Sequence, residues 1–186
     1  DILAKIAQSW ARQSPLKALA WTSTLLPEAR GHATSRALES WSKNHPEKAA
    51  QYLDENPNPK YLKIIANQWS KRDPEDTANW IASKTESPQR NSALADTLWH
   101  WTTQTPKAAT AWIEALPAGN SRDQAIAGLA VAAVEFDPRS ALEWSLKITT
   151  PSLRNDLSQH TFKAWSRSDP KIAQQWANDH QFSPDN

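Results

Sequence analysis

Apolar residues recur along this chain at spacings of three and four. Leu3, Ile6 and Ala7 form one such run, Leu62, Ile65 and Ala66 another, and Leu94 and Leu98 a third. That period lines one face of a helix. The runs end at Trp10, Trp69 and Trp101. Pro27, Pro88, Pro117 and Pro151 stand just ahead of the long periodic segments, and a second set of prolines opens shorter ones. Proline is tolerated at the first helical position, where its missing N–H costs nothing. The pattern predicts long helices near 1–11, 28–43, 59–71, 88–103, 119–135 and 152–167. Short helices are predicted near 15–25, 46–54, 74–84, 106–115, 138–147 and 170–180. The expected fold class is therefore all-α, with about 12 helices joined by links of about 3–6 residues, typical of helical hairpins.

The punctuation repeats. Aligned on Pro15, Pro46, Pro74, Pro106, Pro138 and Pro170, the intervals are 31, 28, 32, 32 and 32 residues. Five residues before each proline stand Trp10, Trp41, Trp69, Trp101, Ala133 and Trp165. Six residues after stand Trp21, Tyr52, Trp80, Trp112, Trp144 and Trp176. A small residue follows each proline at the third position: Ala18, Ala49, Thr77, Ala109, Ala141 and Ala173. The unit W-x4-P-x2-A-x2-W occurs six times with three substitutions, and only Trp99 of the 11 tryptophans lies outside it. Before the prolines stand Ser14, His45, Asp73, Thr105, Asp137 and Asp169, mostly residues whose side-chain oxygen can cap a helix.

A single hairpin of this length cannot bury its apolar face, whereas stacked hairpins share a continuous core. The expected architecture is one solenoid domain over 1–182 with a polar tail at 183–186. Both Trp columns are expected in its core, each buried ring contributing about 1.5–3 kcal/mol.

Composition narrows the function. Lys plus Arg is 21 against 20 for Asp plus Glu, a net charge of +1 with no global field to gather a polyanion. A nucleic-acid partner is thus disfavoured. No run of 18 apolar residues offers a membrane span. There is no cysteine, hence no disulfide and no thiolate metal site. Only 3 glycines argue against phosphate-cradling loops. The absence of Met and the opening inside a helix lead us to expect a piece of a longer chain.

Catalytic signals are weak. His32, His45, His100, His160 and His180 form no metal-binding pair, and no nucleophile or nucleotide motif occurs. Glu75 and Asp76 sit in a first helical turn, where the helix dipole favours them. No enzyme activity, cofactor or metal is expected. One polar column stands out: Arg30, Arg90, Arg122 and Arg154, eleven residues before the first aromatic column, with Asn58 the exception. Capping, ion pairing or ring stacking within the repeat is the favoured role. A ladder of donors for a carboxylate-rich peptide is the alternative.

The runs Asp73-Pro74 to Trp80, Asp137-Pro138 to Trp144 and Asp169-Pro170 to Trp176 resemble the junction between tetratricopeptide repeats. The departures are a unit mostly of 32 residues rather than about 34, and Leu25, Lys84, Leu116 and Ile148 where the family places Gly. The first Trp also stands where the family has a small Ala. Half-a-tetratricopeptide repeats are a weaker resemblance. The resemblance implies a right-handed superhelix of six repeats whose groove binds a protein or peptide. It places Thr22, Leu53, Ile81, Ile113, Ser145 and Ala177, each one residue after the second aromatic, on the concave side. Packing against the next unit is the equal alternative for Leu53, Ile81 and Ile113. The expected function is a non-catalytic binding scaffold. The alternatives are a self-assembling structural or envelope component and an RNA-binding array. Ile2, Leu3 and Ile6 leave an apolar start for further chain, a partner or self-association to cover.

Overall fold

A computed structural model of the chain describes residues 2–183. It contains α1 (Ile2–Ala11), α2 (Pro15–Ser23), α3 (Pro27–Asn44), α4 (Pro46–Glu55), α5 (Pro59–Trp69) and α6 (Pro74–Ala82). These are followed by α7 (Pro88–Gln104), α8 (Pro106–Ala115), α9 (Asn120–Ala133), α10 (Pro138–Ser145), α11 (Pro151–Ser168) and α12 (Pro170–Asp179). Among the described residues there are these twelve helices and no strand. No helix is long and apolar enough to cross a membrane. Of the tail expected at 183–186, Ser183 is described and exposed; the other three positions lie outside the described residues.

Proline opens ten of the twelve helices. The corner that joins each long helix to its short partner has one geometry throughout. The N–H of the residue before the proline donates to the carbonyl of the first-column residue: Ser14 to Trp10, His45 to Trp41, Asp73 to Trp69, Thr105 to Trp101, Asp137 to Ala133 and Asp169 to Trp165, at 2.7–2.9 Å. Its own carbonyl accepts from the small residue three beyond the proline, for example Ala18 N–H to Ser14 at 3.0 Å and Ala173 N–H to Asp169 at 3.0 Å. The W-x4-P-x2-A spacing is thus two successive i to i+4 backbone bonds hinged at one extended residue. Proline holds the exit φ and forfeits no bond there.

Side-chain capping at these corners is rarer than the residue types suggest. Asp137 accepts from Ser140 N–H and Asp169 from Ile172 N–H, while Ser14, His45, Asp73 and Thr105 make no side-chain cap bond. The corner bond and proline dispose of two of the four first donors, so less is left for a side-chain cap to satisfy.

The helices group into two compact units, Asp1–Ala93 and Leu94–Asn186, with the boundary inside α7. In the first, α1 packs on α2 and α3, α3 on α4 and α5, and α5 on α6. In the second, α9 packs on α8, α10 and α11, and α11 on α10 and α12. Small residues admit the close contacts. Ala7, Ala18, Ala33, Ala37, Ala49 and Ala66 in the first unit are fully enclosed, as are Ala109, Ala125, Ala130, Ala141 and Ala173 in the second. Gly128 in α9 lies so near Ala95 in α7 that a Cβ would stand 2.1 Å from its carbonyl oxygen.

Candidate binding clefts between hairpins

At five of the six W-x4-P corners an aromatic pair joins the two columns. Trp10–Trp21, Trp41–Tyr52, Trp69–Trp80, Trp101–Trp112 and Trp165–Trp176 have ring centroids 5.7–5.9 Å apart and planes inclined by 47–59°. That separation is favourable for tilted aromatic contact. The pairing is within each hairpin. First-column Trp41, Trp69, Trp101 and Trp165 are buried, but Trp10 is 39% exposed. In the second column only Trp176 is buried; Trp21, Tyr52, Trp80, Trp112 and Trp144 are half-buried. The expectation that both columns belong to the core therefore holds for four first-column rings and for Trp176. The rest keep part of the ring in solvent, although α2, α4 and α10 each pack on the long helices before and after them.

The fifth hairpin lacks the pair. Ala133 takes the first-column place, and Trp144 lines an open cleft of about 660 Å³ with Leu129, Ala132, Thr102, Lys107 and Ser140. The equivalent cleft of the first unit, about 440 Å³, lies between the first two hairpins and is lined by Trp41, Ser40, Pro15, Asn44 and Lys48. The two clefts use equivalent repeat positions: Ser40 and Ala132, Trp41 and Ala133, Asn44 and Phe136, Lys48 and Ser140. Phe136, at the mouth of the larger cleft, is 84% exposed.

The first unit carries further clefts. One of about 470 Å³ is lined by Leu53, Leu62, Trp80 and the loop Pro57–Pro59. At its edge Asp54 accepts from the Trp80 indole N–H at 3.2 Å and pairs with Lys84 Nζ at 2.6 Å, while Lys84 lies 5.1 Å from the Trp80 ring centre. Another, about 650 Å³, is polar and gathers Arg12, Lys43, Lys71 and Arg72 beside Glu39. Arg72 is tied to Glu47 at 2.6 Å, which offsets part of that basic character, while Glu39 is itself engaged by Arg36 at 2.7 Å.

The residues expected on a concave groove are elsewhere. Thr22, Leu53, Ile81, Ile113, Ser145 and Ala177 are all buried. Thr22 and Ser145 hydroxyls are spent on the carbonyls of Leu19 and Leu142, each at 2.8 Å. The position after the second aromatic turns towards the adjoining long helix, so these six are packing residues. Leu53 also borders a cleft.

The arginine column acts on backbone. Arg30 donates through Nε and Nη2 to the Leu25 carbonyl at 3.1 and 2.9 Å, and Arg154 through Nη1 to the Ile148 carbonyl at 3.3 Å. Arg90, 1% exposed, grips the Ile81 and Ala82 carbonyls at 3.2 and 3.1 Å. Burial pulls its guanidinium below its usual pKa, with Glu86 opposing. Each of these arginines lies in the first turn of a long helix; Arg90 reaches the last turn of the short helix before it, and Arg30 and Arg154 reach the loop that follows the short helix before theirs. Arg122 differs: its Nε is buried with no hydrogen-bond partner among the described residues.

Asp123, beside it, was not singled out by its sequence context. Its carboxylate is enclosed and accepts from the N–H of Thr149 and Thr150 at 2.8 and 2.9 Å and from their hydroxyls at 2.9 and 2.7 Å. Burial alone would raise its pKa; the four donors outweigh burial and hold it below the usual carboxylate value. The arrangement anchors the α10–α11 loop to α9. The Thr-Thr pair just ahead of Pro151 was the available signal.

Among the described residues no cluster of His, Asp and Glu is arranged to hold a metal ion. Searches against protein-family models, curated proteins and solved structures give no match to this chain.

Proposed function

We infer that the chain is a non-catalytic protein- or peptide-binding scaffold, built from six tandem tetratricopeptide-like hairpins wound as a right-handed α-solenoid. The observation that carries this reading is the pair of equivalent clefts, one in each unit. Their floors come from repeat positions, but their mouths differ: Leu16, Asn44 and Lys48 in one, Lys107, Phe136 and Ser140 in the other. A constant frame with varied side chains at equivalent places is how a repeat array acquires a sequence-specific surface. The arginines and most tryptophans are committed to the frame, which leaves the cleft mouths as the variable surface.

Peptide display against the immobilised chain tests the reading. A recovered consensus that binds with 1:1 stoichiometry in solution supports it. No enrichment over an unrelated helical protein overturns it. Salt-dependent binding of single-stranded RNA to the cleft of Arg12, Lys43 and Lys71 would favour the nucleic-acid alternative instead.

A second reading, self-association through the N-terminal hairpin, is favoured by the outer face of α1. Ile2 is 76% and Ile6 45% exposed there, next to the partly exposed Trp10. Contiguous exposed apolar residues mark a surface that another element covers. Concentration-dependent sedimentation that is abolished by Ile2→Glu with Ile6→Lys would support it.

A further inference from the structure

We propose that the cleft beside Trp144 is a binding site for one aromatic side chain of a partner peptide, seated where the missing repeat tryptophan would be. This rests on the scaffold reading and names the chemistry it recognises.

The repeat itself defines the occupant. In five hairpins a ring from the first column stands 5.7–5.9 Å from a ring of the second. In the fifth, Ala133 supplies only a methyl group, and Trp144 borders open space. The second hairpin gives the contrast, with its mouth residues differing too. There Trp41 lines the equivalent cleft, Tyr52 does not reach it, and the volume is about 440 Å³ rather than about 660 Å³. Trp144 is not spoken for on both faces. Lys147 Nζ lies 3.9 Å from its ring centre, and Lys147 does not line the cleft. The ring therefore meets an ammonium that is not part of the cleft it lines.

The surroundings suit an aromatic side chain entering on a peptide. Leu129 and Ala132 form apolar walls. The Thr102 hydroxyl, at the wall, is buried and has no hydrogen-bond partner among the described residues, so it can accept from an indole N–H. Lys107 and Ser140 at the mouth offer polar groups to a peptide main chain. Phe136 exposes nearly its whole ring at the same mouth, an apolar surface that a bound chain would cover.

The test uses the full chain and three blocked pentapeptides: alanine with a central Trp, with a central Leu, and alanine alone. Binding is read from the indole Nε1–H signals in nuclear magnetic resonance, with the Trp144 signal assigned through Trp144→Phe. The Trp peptide should shift the Trp144 signal saturably, and the Leu peptide should bind at least tenfold more weakly. Ala133→Trp, which restores the repeat ring, should weaken the Trp peptide at least tenfold. Ser140→Phe, which plugs the mouth without touching the core, should do the same if Ala133→Trp fails to fold. Equal binding of Trp and Leu peptides, shifts confined to other tryptophans, or unchanged affinity in either folded variant would overturn the proposal. So would a dimer abolished by Phe136→Ser, which would make a second copy the occupant. A display consensus without an aromatic residue, unaffected by Ala133→Trp, would sink this site and leave the scaffold reading standing. A Trp peptide that binds here while display yields no consensus would keep the site and sink the broader scaffold.

Discussion

Arg90 Nε donates to the carbonyl oxygen of Ile81 at 3.2 Å, from the first turn of α7 to the last turn of α6. A second donor of the same guanidinium reaches Ala82, so one side chain serves two carbonyls at the helix end, that of Ile81 also accepting from Lys84 N–H at 3.0 Å. Removing it strands the Ala82 carbonyl and leaves Ile81 with the Lys84 N–H alone, at a cost of about 1–3 kcal/mol. Arg90→Ala should therefore lower the urea midpoint clearly. Arg90→Lys should recover only part of the loss, because a single ammonium cannot reproduce the planar fork. Arg30→Ala should cost less, since Arg30 makes the same kind of bond at an exposed site. A loss at Arg30 equal to that at Arg90 would count against burial as the deciding factor.

Asp123 gives the chain a defined acid sensitivity. Its folded pKa is depressed by the four Thr donors, so its contribution is complete above the unfolded carboxylate value. That contribution is lost as the pH falls through the folded value. Hydrogen bonds to a charged group contribute about 1.5–3 kcal/mol. Asp123→Asn offers one acceptor oxygen and adds N–H donors that face donors. At neutral pH it should destabilise the second unit and speed amide exchange at Thr149 and Thr150. The gap between wild type and variant should close as the wild-type carboxyl protonates. A gap that persists unchanged at low pH would show that shape, not charge, is responsible.

Gly128 sets helix propensity against packing. Alanine is favoured over glycine in a helix interior by about 1 kcal/mol. At this position a Cβ would meet the Ala95 carbonyl oxygen at 2.1 Å and its carbon at 2.9 Å, both backbone atoms that cannot rotate away. Overpacking costs roughly 1–3 kcal/mol and more when backbone must move. Gly128→Ala should therefore be destabilising on thermal melting, against the propensity trend. A raised melting temperature would mean that α7 and α9 separate freely.

How much was legible follows from which interactions are local. The helix starts could be read because proline fixes φ within its own residue, and Pro15, Pro46, Pro74, Pro106, Pro138 and Pro170 all open helices. The hinge bonds obey the same W-x4-P spacing because they are backbone bonds within one turn of the corner. Thr22 and Ser145 are buried where a groove position was expected, because one step along a helix rotates a side chain by about 100°. Which rotation faces a neighbour depends on a helix distant in sequence. Asp123 was missed for a related reason: its partners lie 26 and 27 residues away, and an acid in a first turn ordinarily needs no partner beyond the helix dipole. The cleft was written in the sequence as Ala133, but an isolated substitution in a column does not reveal whether neighbours collapse onto it.

The aromatic pairs allow the frame to be weighed directly. Trp101 is 2% exposed and stands 5.8 Å from Trp112, so Trp101→Ala removes a buried ring and leaves a cavity that the helices around it cannot close fully. Such truncations cost roughly 3–5 kcal/mol. Trp10 pairs with Trp21 at nearly the same distance but keeps much of its ring in water. Trp10→Ala should cost well under half as much, because the pair geometry is retained as a cause while the burial is not. Chemical denaturation of the two variants, monitored by far-ultraviolet circular dichroism, separates the contributions. Comparable losses would assign the stabilisation to the ring–ring contact itself. A large difference assigns it to burial, and then Ala133 costs its hairpin an enclosed ring that Ala133→Trp should partly restore.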